Sequence, residues 1–313
     1  MRLFVVILLL LVALPLLLYL GLVLYADARL GRAVDRVDRV RLKSVITGVP
    51  EESGITPVRL GGAEGERVEG LLLPPREGEG ARLAILLLGG VGTGKEAVRL
   101  IDPIPGAAVL SIDYPLKEKL PGNRLLDKAA SLPGLVGGAA ESARASALAL
   151  RYLRAREGTE RVVVVGVSLG VPYAALLAAR CEEVDAAALL HGGGDVSRIV
   201  ARALPIPERL RGFGGDALGR LIAPLDPARF AGAISPRPLL LVNAEDDPRI
   251  PPRSIRALHD AAREPKTIVM LEGGHVLPEK RDLVRGLMKI TLEWLAELHF
   301  LQRDATPPPP PAP

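Results

Sequence analysis

"RVVVVGVSLGVPYAALLAAR", Arg161 to Arg180, is the stretch on which the fold turns. Four consecutive valines and their neighbours read as a strand that is apolar on both faces, as in the middle of a parallel sheet. Leu169 to Arg180 carries helix formers, and Pro172 falls in the first turn, where a missing N–H costs little. Between strand and helix lies Gly166-Val167-Ser168-Leu169-Gly170, a G-x-S-x-G. Glycine at both ends lets the chain turn sharply and the helix pack close, which lifts the Ser168 hydroxyl above the sheet edge. The pattern alone is common; its setting between strand and helix gives it meaning.

The same rhythm extends in both directions. "LAILLLG" (Leu83 to Gly89), "AAVLSID" (Ala107 to Asp113), "VDAAALL" (Val184 to Leu190), "PLLLVN" (Pro238 to Asn243) and "TIVMLE" (Thr267 to Glu272) read as strands. Glu141 to Arg156 and Leu283 to Phe300 read as helices, and Ile55 to Pro74 as two strands around a glycine turn. Such alternation predicts an α/β domain, a mostly parallel sheet with helices on both faces, over residues 51–303. Residues 192–235 break the rhythm with helical fragments between Gly and Pro, and are expected to form a small cap-like insertion over a site. The Pro-rich end, 304–313, cannot pack and is expected to be disordered.

At 313 residues, 49% hydrophobic and 24% charged, the chain is globular. Aromatics make up only 3%, so the core must be built from Leu, Val, Ile and Ala. The net charge is +4, and no basic tract is interleaved with aromatics, so no nucleic-acid partner is expected. Cys181 is the single cysteine, which excludes an internal disulfide and a multi-Cys zinc site. Neither a metal nor a cofactor is expected.

Leu3 to Tyr25 is uncharged and apolar. As a helix it is about 35 Å long, against about 30 Å for a bilayer's hydrocarbon core. Residues 1–25 are therefore expected to form one transmembrane anchor, with 26–50 as a juxtamembrane linker helical and amphipathic over Arg29 to Lys43. The competing reading is a signal peptide cleaved near Ala28, where Ala26-Asp27-Ala28 fits the small-x-small pattern; the apolar run is longer than signal cores usually are. Arg29, Arg32, Arg36, Arg39, Arg41 and Lys43 follow the span, a bias that keeps the domain on the cytoplasmic side. Cleavage would export it instead.

A serine hydroxyl needs a base to take its proton and an acid to orient that base. Of four histidines, His259 and His299 sit in helical stretches and read as packing or surface residues. His191 ends a strand at "LLHGGG", and His275 lies in "LEGGHVLP", just after the final strand. His191 is an alternative base, a pocket residue or a satisfied polar group. For the acid, Asp246 and Asp247 compete in "NAEDDPRIP".

With these pieces in place the chain resembles the α/β-hydrolase superfamily over about residues 55 to 300. "RVEGLLLPP", "LDPARFAGAISPRPLLLVNAEDDPRIP" and "LEGGH" look closest to its dienelactone-hydrolase and prolyl-oligopeptidase-like branches. The resemblance implies the order Ser…Asp…His, with Ser168 as nucleophile, Asp247 in a D-P-x-[IV]-P turn as acid and His275 as base. It also implies an oxyanion hole from the backbone N–H groups of Val91 and Leu169, with Gly89 and Gly90 letting the loop approach closely. The family usually shows His-Gly where this chain has Gly89-Gly90. The implied activity is hydrolysis of an ester, thioester or amide of a small or lipid-like acyl substrate. Alternatives are acyl transfer from the same acyl-enzyme and a non-catalytic binding protein.

One motif competes. Gly89 to Lys95 spells G-x-x-x-x-G-K, a phosphate-cradling loop, and "AAVLSID" looks like the acidic strand that accompanies it. Such loops require Ser or Thr after the lysine to hold magnesium, and Glu96 stands there. No nucleotide is expected.

Overall fold

The computed structural model describes residues 2–76, 81–115 and 125–301. The strands are β1 (Leu42–Thr47), β2 (Thr56–Gly62), β3 (Arg67–Leu73), β4 (Leu83–Leu88), β5 (Ala107–Ile112), β6 (Arg161–Val167), β7 (Ala186–Leu190), β8 (Leu239–Ala244) and β9 (Lys266–Leu271). The helices are α1 (Arg2–Asp35), α2 (Leu125–Arg154), α3 (Val171–Arg180), α4 (Val196–Ala203), α5 (Glu208–Ile222), α6 (Ala228–Ile234), α7 (Pro252–Ala261) and α8 (Arg281–Glu297). The Pro-rich end at 304–313 lies outside the described residues.

Among the described residues the strands make one nine-stranded sheet, ordered β1-β2-β3-β5-β4-β6-β7-β8-β9. β1, β2 and β3 pair antiparallel, and β3 runs antiparallel to β5. From β5 to β9 every pairing is parallel, with β6 in the interior between β4 and β7. Strand side chains alternate between faces, so the continuous apolar strands feed two cores. Leu86, Leu110, Val164, Leu189 and Leu241 face a first core with α2, α3 and α6. Ile85, Val109, Val163, Val165 and Leu240 face a second, closed by Leu287, Trp294 and Leu295 of α8.

α1 is one continuous helix with two environments. Leu14, Leu16, Leu17, Leu18 and Leu20 are exposed. Val23, Ala26, Leu30, Ala33 and Val34 recur at helical spacing and join the first core beside Val136, Ala139, Ala140 and Ala143 of α2. One helix is thus long and apolar enough to cross a membrane, and its second half is part of the domain. This corrects the reading of 26–50 as a linker. The helix stops at Asp35, Val37 and Val40 are buried, and Leu42–Thr47 form the edge strand β1.

The insertion also sits elsewhere than expected. α4 and α5 pack on each other so tightly that a Cβ on Gly215 would stand 2.6 Å from the Ser197 carbonyl. α5 leans on α1, where Tyr19 donates to the Ala217 carbonyl (3.1 Å) and Arg220 pairs with Asp27 (2.9 Å). Phe230, Ala231 and Ile234 of α6 are buried in the first core.

Two glycines test this packing with opposite signs. Gly170 has the Leu88 carbonyl where a Cβ would stand, whereas a Cβ on Gly286 in α8 meets nothing within 4 Å. Gly170→Ala is expected to destabilise the fold by about 3 kcal/mol or more. Gly286→Ala should stabilise it by about 0.5–1 kcal/mol. Chemical denaturation of the two variants checks both signs.

Candidate active site

β6 delivers Ser168 to the carboxyl end of the sheet. The serine has φ +52°, a left-handed conformation that non-glycine residues avoid, so the turn is strained. The flanking glycines explain why the turn is possible: a Cβ on Gly166 would stand 2.6 Å from Cβ of Ala174 and 2.7 Å from the Gly170 carbonyl oxygen. With both side chains absent, α3 begins immediately behind the serine. The Leu169 amide therefore lies in a first turn, where N–H groups have no intrahelical acceptor.

The sequence-predicted partners converge on this point. Ser168 Oγ lies 2.9 Å from His275 Nε2, and His275 Nδ1 lies 2.7 Å from Asp247 Oδ2. His275 follows β9 on a turn where Gly273 takes φ +100°. Asp247 follows β8, and its Oδ1 accepts the amides of Arg249 (2.8 Å) and Ile250 (3.0 Å), which fixes the carboxylate plane. Asp246, the competing acid, is exposed and contributes no contact to the histidines. His259 is half-buried and meets Asn243 Oδ1 at 2.9 Å; His299 is exposed.

His191 stands apart from both of its expected site roles. It neither reaches Ser168 nor lines the cavity beside it. Its ring is fully buried edge-on to His275, with centroids 5.6 Å apart, and its Nδ1 lies 3.3 Å from the same Asp247 Oδ2. The backbone at His191 has φ +53°, and its Nε2 is buried with no hydrogen-bond partner. It therefore belongs behind the acid, as a second imidazole on one carboxylate oxygen. β7 sets this position, because Leu190 pairs with Val242 and the next residue turns off the strand end.

Burial alone would raise the Asp247 pKa. The hydrogen bonds from His191 and His275 and from the amides of Ile250 and Arg249 more than offset it, and hold the carboxyl well below the usual range. A depressed folded-state pKa means that this stabilisation is complete above the ordinary aspartate range and is lost only as pH falls into strong acid. These contacts favour the ionised form of Asp247. His191, Asp247 and His275 also have metal-ligand spacing, with ligand atoms within 4.8 Å of one another. Both imidazole Nδ1 atoms face the same carboxylate oxygen, so an ion there would have to displace both hydrogen bonds.

The glycine loop after β4 passes close to the serine. A Cβ on Gly90 would stand 3.5 Å from Cβ of Ser168. The Gly90 carbonyl accepts from Thr93 N–H (3.2 Å) and Thr93 Oγ (2.8 Å), and the Gly89 carbonyl from Tyr114 Oη (2.9 Å). In a trans peptide the C=O and N–H point in opposite directions. The Gly90 carbonyl is turned into the loop, so the Val91 N–H points out of it. Lys95 is occupied: Nζ meets Asp113 Oδ2 at 2.8 Å and Glu69 Oε2 at 3.0 Å. The lysine and aspartate of the nucleotide-like motif therefore hold each other. The segment after the loop is a 3-10 turn, Gly94–Leu100, instead of the α-helix N-terminus that a phosphate cradle uses.

A cavity opens beside Ser168 and His275 and descends between the sheet and α8. Ile85, Leu87, Val109 and Val165 form its sheet wall, and Val284, Leu287, Met288 and Leu292 its helix wall. None of its described lining residues comes from 192–235, so the insertion is no lid over it. The α8 residues were legible only as the apolar stripe of a core helix, because a stripe that lines a void has the same spacing as one that fills a core.

No family model matches this chain, and no curated protein sequence matches it. Its architecture nevertheless recurs among solved structures. Acetyl xylan esterase 1 from Thermoanaerobacterium sp. superposes with a TM-score of 0.61 at 18% identity, over 87% of this chain and 93% of the other. Acetyl xylan esterase from Paenibacillus sp. R4 gives 0.56 at 18% identity, over 86% and 93%. An esterase of Pyrococcus furiosus gives 0.55 at 13% identity, over 82% and 96%. With its strand–serine–helix turn and its sheet order, the chain has the α/β-hydrolase fold that these esterases share.

Proposed function

We propose that this protein is a serine hydrolase that cleaves carboxylic esters through an acyl-enzyme. The observation that carries the reading is the continuous chain Ser168 Oγ, His275 Nε2, His275 Nδ1, Asp247 Oδ2, at 2.9 and 2.7 Å. With Nδ1–H donated to Asp247, Nε2 is left as acceptor for the serine proton. Ser168 Oγ attacks the ester carbonyl, His275 takes the proton and delivers it to the leaving alkoxide, and the carbonyl–alkoxy bond breaks. Water then attacks the acyl-enzyme by the same route and releases the carboxylic acid. Asp247, held ionised, fixes the tautomer and stabilises the imidazolium. The amides of Val91 and Leu169 are the donors for the tetrahedral oxyanion, each lowering the barrier by about 3–4 kcal/mol.

The membrane half of the proposal rests on α1. Cleavage near Ala28 would remove Val23 and Ala26 from the first core, break the Tyr19–Ala217 and Asp27–Arg220 contacts, and cut just before the fully buried Leu30. A helix built into the domain core is retained, so it serves as an anchor. α5 supports this reading. Phe213 and Leu210 of α5 are exposed, and α5 packs on α1, whose leucines are exposed too, as a shallow membrane-dipping edge would be. The basic residues that follow the span put the domain on the cytoplasmic side.

Three outcomes follow. A fluorophosphonate probe labels the folded protein at Ser168 and leaves Ser168→Ala unlabelled; a folded wild-type protein that takes no label contradicts the reading. In ester hydrolysis, Asp247→Asn lowers kcat by about 10³–10⁴-fold, because the amide favours the wrong tautomer of His275. On expression from its own start, the protein stays in the membrane fraction after alkaline carbonate washing. Mass spectrometry there finds the N-terminal span intact, and a soluble mature form beginning just after Ala28 would overturn the anchor.

A further inference from the structure

We propose that the cavity beneath Ser168 is the binding site for the acyl chain of an unbranched, medium-length aliphatic ester. The inference rests on the serine-hydrolase reading and names its substrate class. Protein interiors are close-packed, and an apolar void forfeits dispersion contacts along its whole lining. Here the void interrupts the second core directly under the nucleophile, between the sheet and α8. Its described walls are almost entirely aliphatic. Such a space stays dry and is filled by an apolar ligand in preference to water.

Its depth follows from the strand register. Ile85, on its wall, pairs with both Val109 and Val163, and Val163 stands five residues before Ser168 on β6. At the rise of a β-strand, that places the Ile85 level about 16 Å below the serine. A short acyl group would leave most of that length empty, and an alkyl chain of medium length fills it.

The chemistry at the two ends fixes which part of the ester enters. Arg249 is the only charged residue among the described lining residues, and it is exposed, so the polar side is the mouth. The leaving alcohol must depart and give way to water at His275, which requires the open side. The acyl group stays bonded to Ser168 throughout, so the enclosed apolar end suits it. The structure assigns the cavity to the acyl chain on this ground.

The full chain in lipid nanodiscs is assayed against two ester series. One varies the acyl chain as p-nitrophenyl acetate, butyrate, hexanoate, octanoate, decanoate and palmitate; the other varies the alcohol as alkyl acetates. In the first, kcat/KM should rise by up to about fourfold per buried methylene and by about a hundredfold or more from acetate to octanoate. It should fall again at palmitate. The acetate series should stay within about threefold across alcohol length. Met288→Trp fills the helix wall and should move the optimum to butyrate or shorter; Val284→Phe makes the same test if Met288→Trp does not fold.

Binding of sodium octanoate to Ser168→Ala, followed by calorimetry, tests the cavity without catalysis and should be lost in Ser168→Ala/Met288→Trp. A flat acyl series, an acetate optimum, or a rise with alcohol length overturns the proposal while fluorophosphonate labelling leaves the hydrolase standing. Octanoate binding without labelling or ester turnover supports the cavity and overturns the hydrolase. Absence of octanoate binding overturns the cavity's role whatever the enzyme does.

Discussion

The close approach of Gly170 to the carbonyl of Leu88 is the contact on which the site depends. The first turn behind Ser168 passes so near the end of β4 that no side chain fits between them. That approach brings the nucleophile's turn against the strand whose continuation is the Gly89–Gly90–Val91 loop, and so sets hydroxyl and loop amides side by side. The strained φ of Ser168 is the other half of the arrangement. A left-handed residue costs about 1–3 kcal/mol and persists only where its surroundings over-determine it. Here a buried strand on one side and a buried helix on the other supply that constraint.

Asp247 plays the corresponding part on the acid side. Its two oxygens divide the work. Oδ1 takes two backbone amides and is thereby fixed to its own turn, whereas Oδ2 takes two imidazoles from different strand ends. The loops after β7, β8 and β9 are thus joined at one carboxylate. His191 is the weaker partner, at 3.3 Å, and its other nitrogen is buried without a partner. A buried unpaired nitrogen is a cost, and this one is offset by a further hydrogen bond that keeps the carboxylate ionised. Supporting contacts also hold the loop that carries His191. Asn243 donates its Nδ2–H to the Gly192 carbonyl at 2.8 Å, and its Oδ1 accepts from His259 Nε2 at 2.9 Å.

Legibility followed the range of each signal. The parallel strands were readable because burial on both faces leaves a continuous apolar run, and the turn at Ser168 because its glycines answer to contacts within a few residues. Asp247 and His275 were readable from their places after the last two strands and from the family resemblance. The role of His191 was not, since nothing local separates a histidine facing a pocket from one behind a carboxylate. Residues 26–50 failed for a related reason. Val23, Ala26, Leu30, Ala33 and Val34 are small or aliphatic and lie next to a longer apolar run, so the passage from lipid-type to core-type helix leaves no break in composition. The cap reading of 192–235 failed because helical fragments do not state which surface they lie against. Lys95 and Asp113 satisfied a nucleotide motif letter by letter while being bound to each other across β4's loop and β5.

The two faces of the sheet divide these tasks. The first core is covered by α1, α2, α3 and α6 with Leu, Val and Ala, and the apolar helix enters the domain there. The second core is hollow near the serine, under α8. The apolar helix is locked into the first core, and the central sheet separates it from the cavity. The wall residues Val284, Met288 and Leu292 are only partly buried and lie on the helix that follows the last described strand, β9. That helix is tied to the domain through Leu287, Trp294 and Leu295, so the cavity's helix wall is held in both halves of α8.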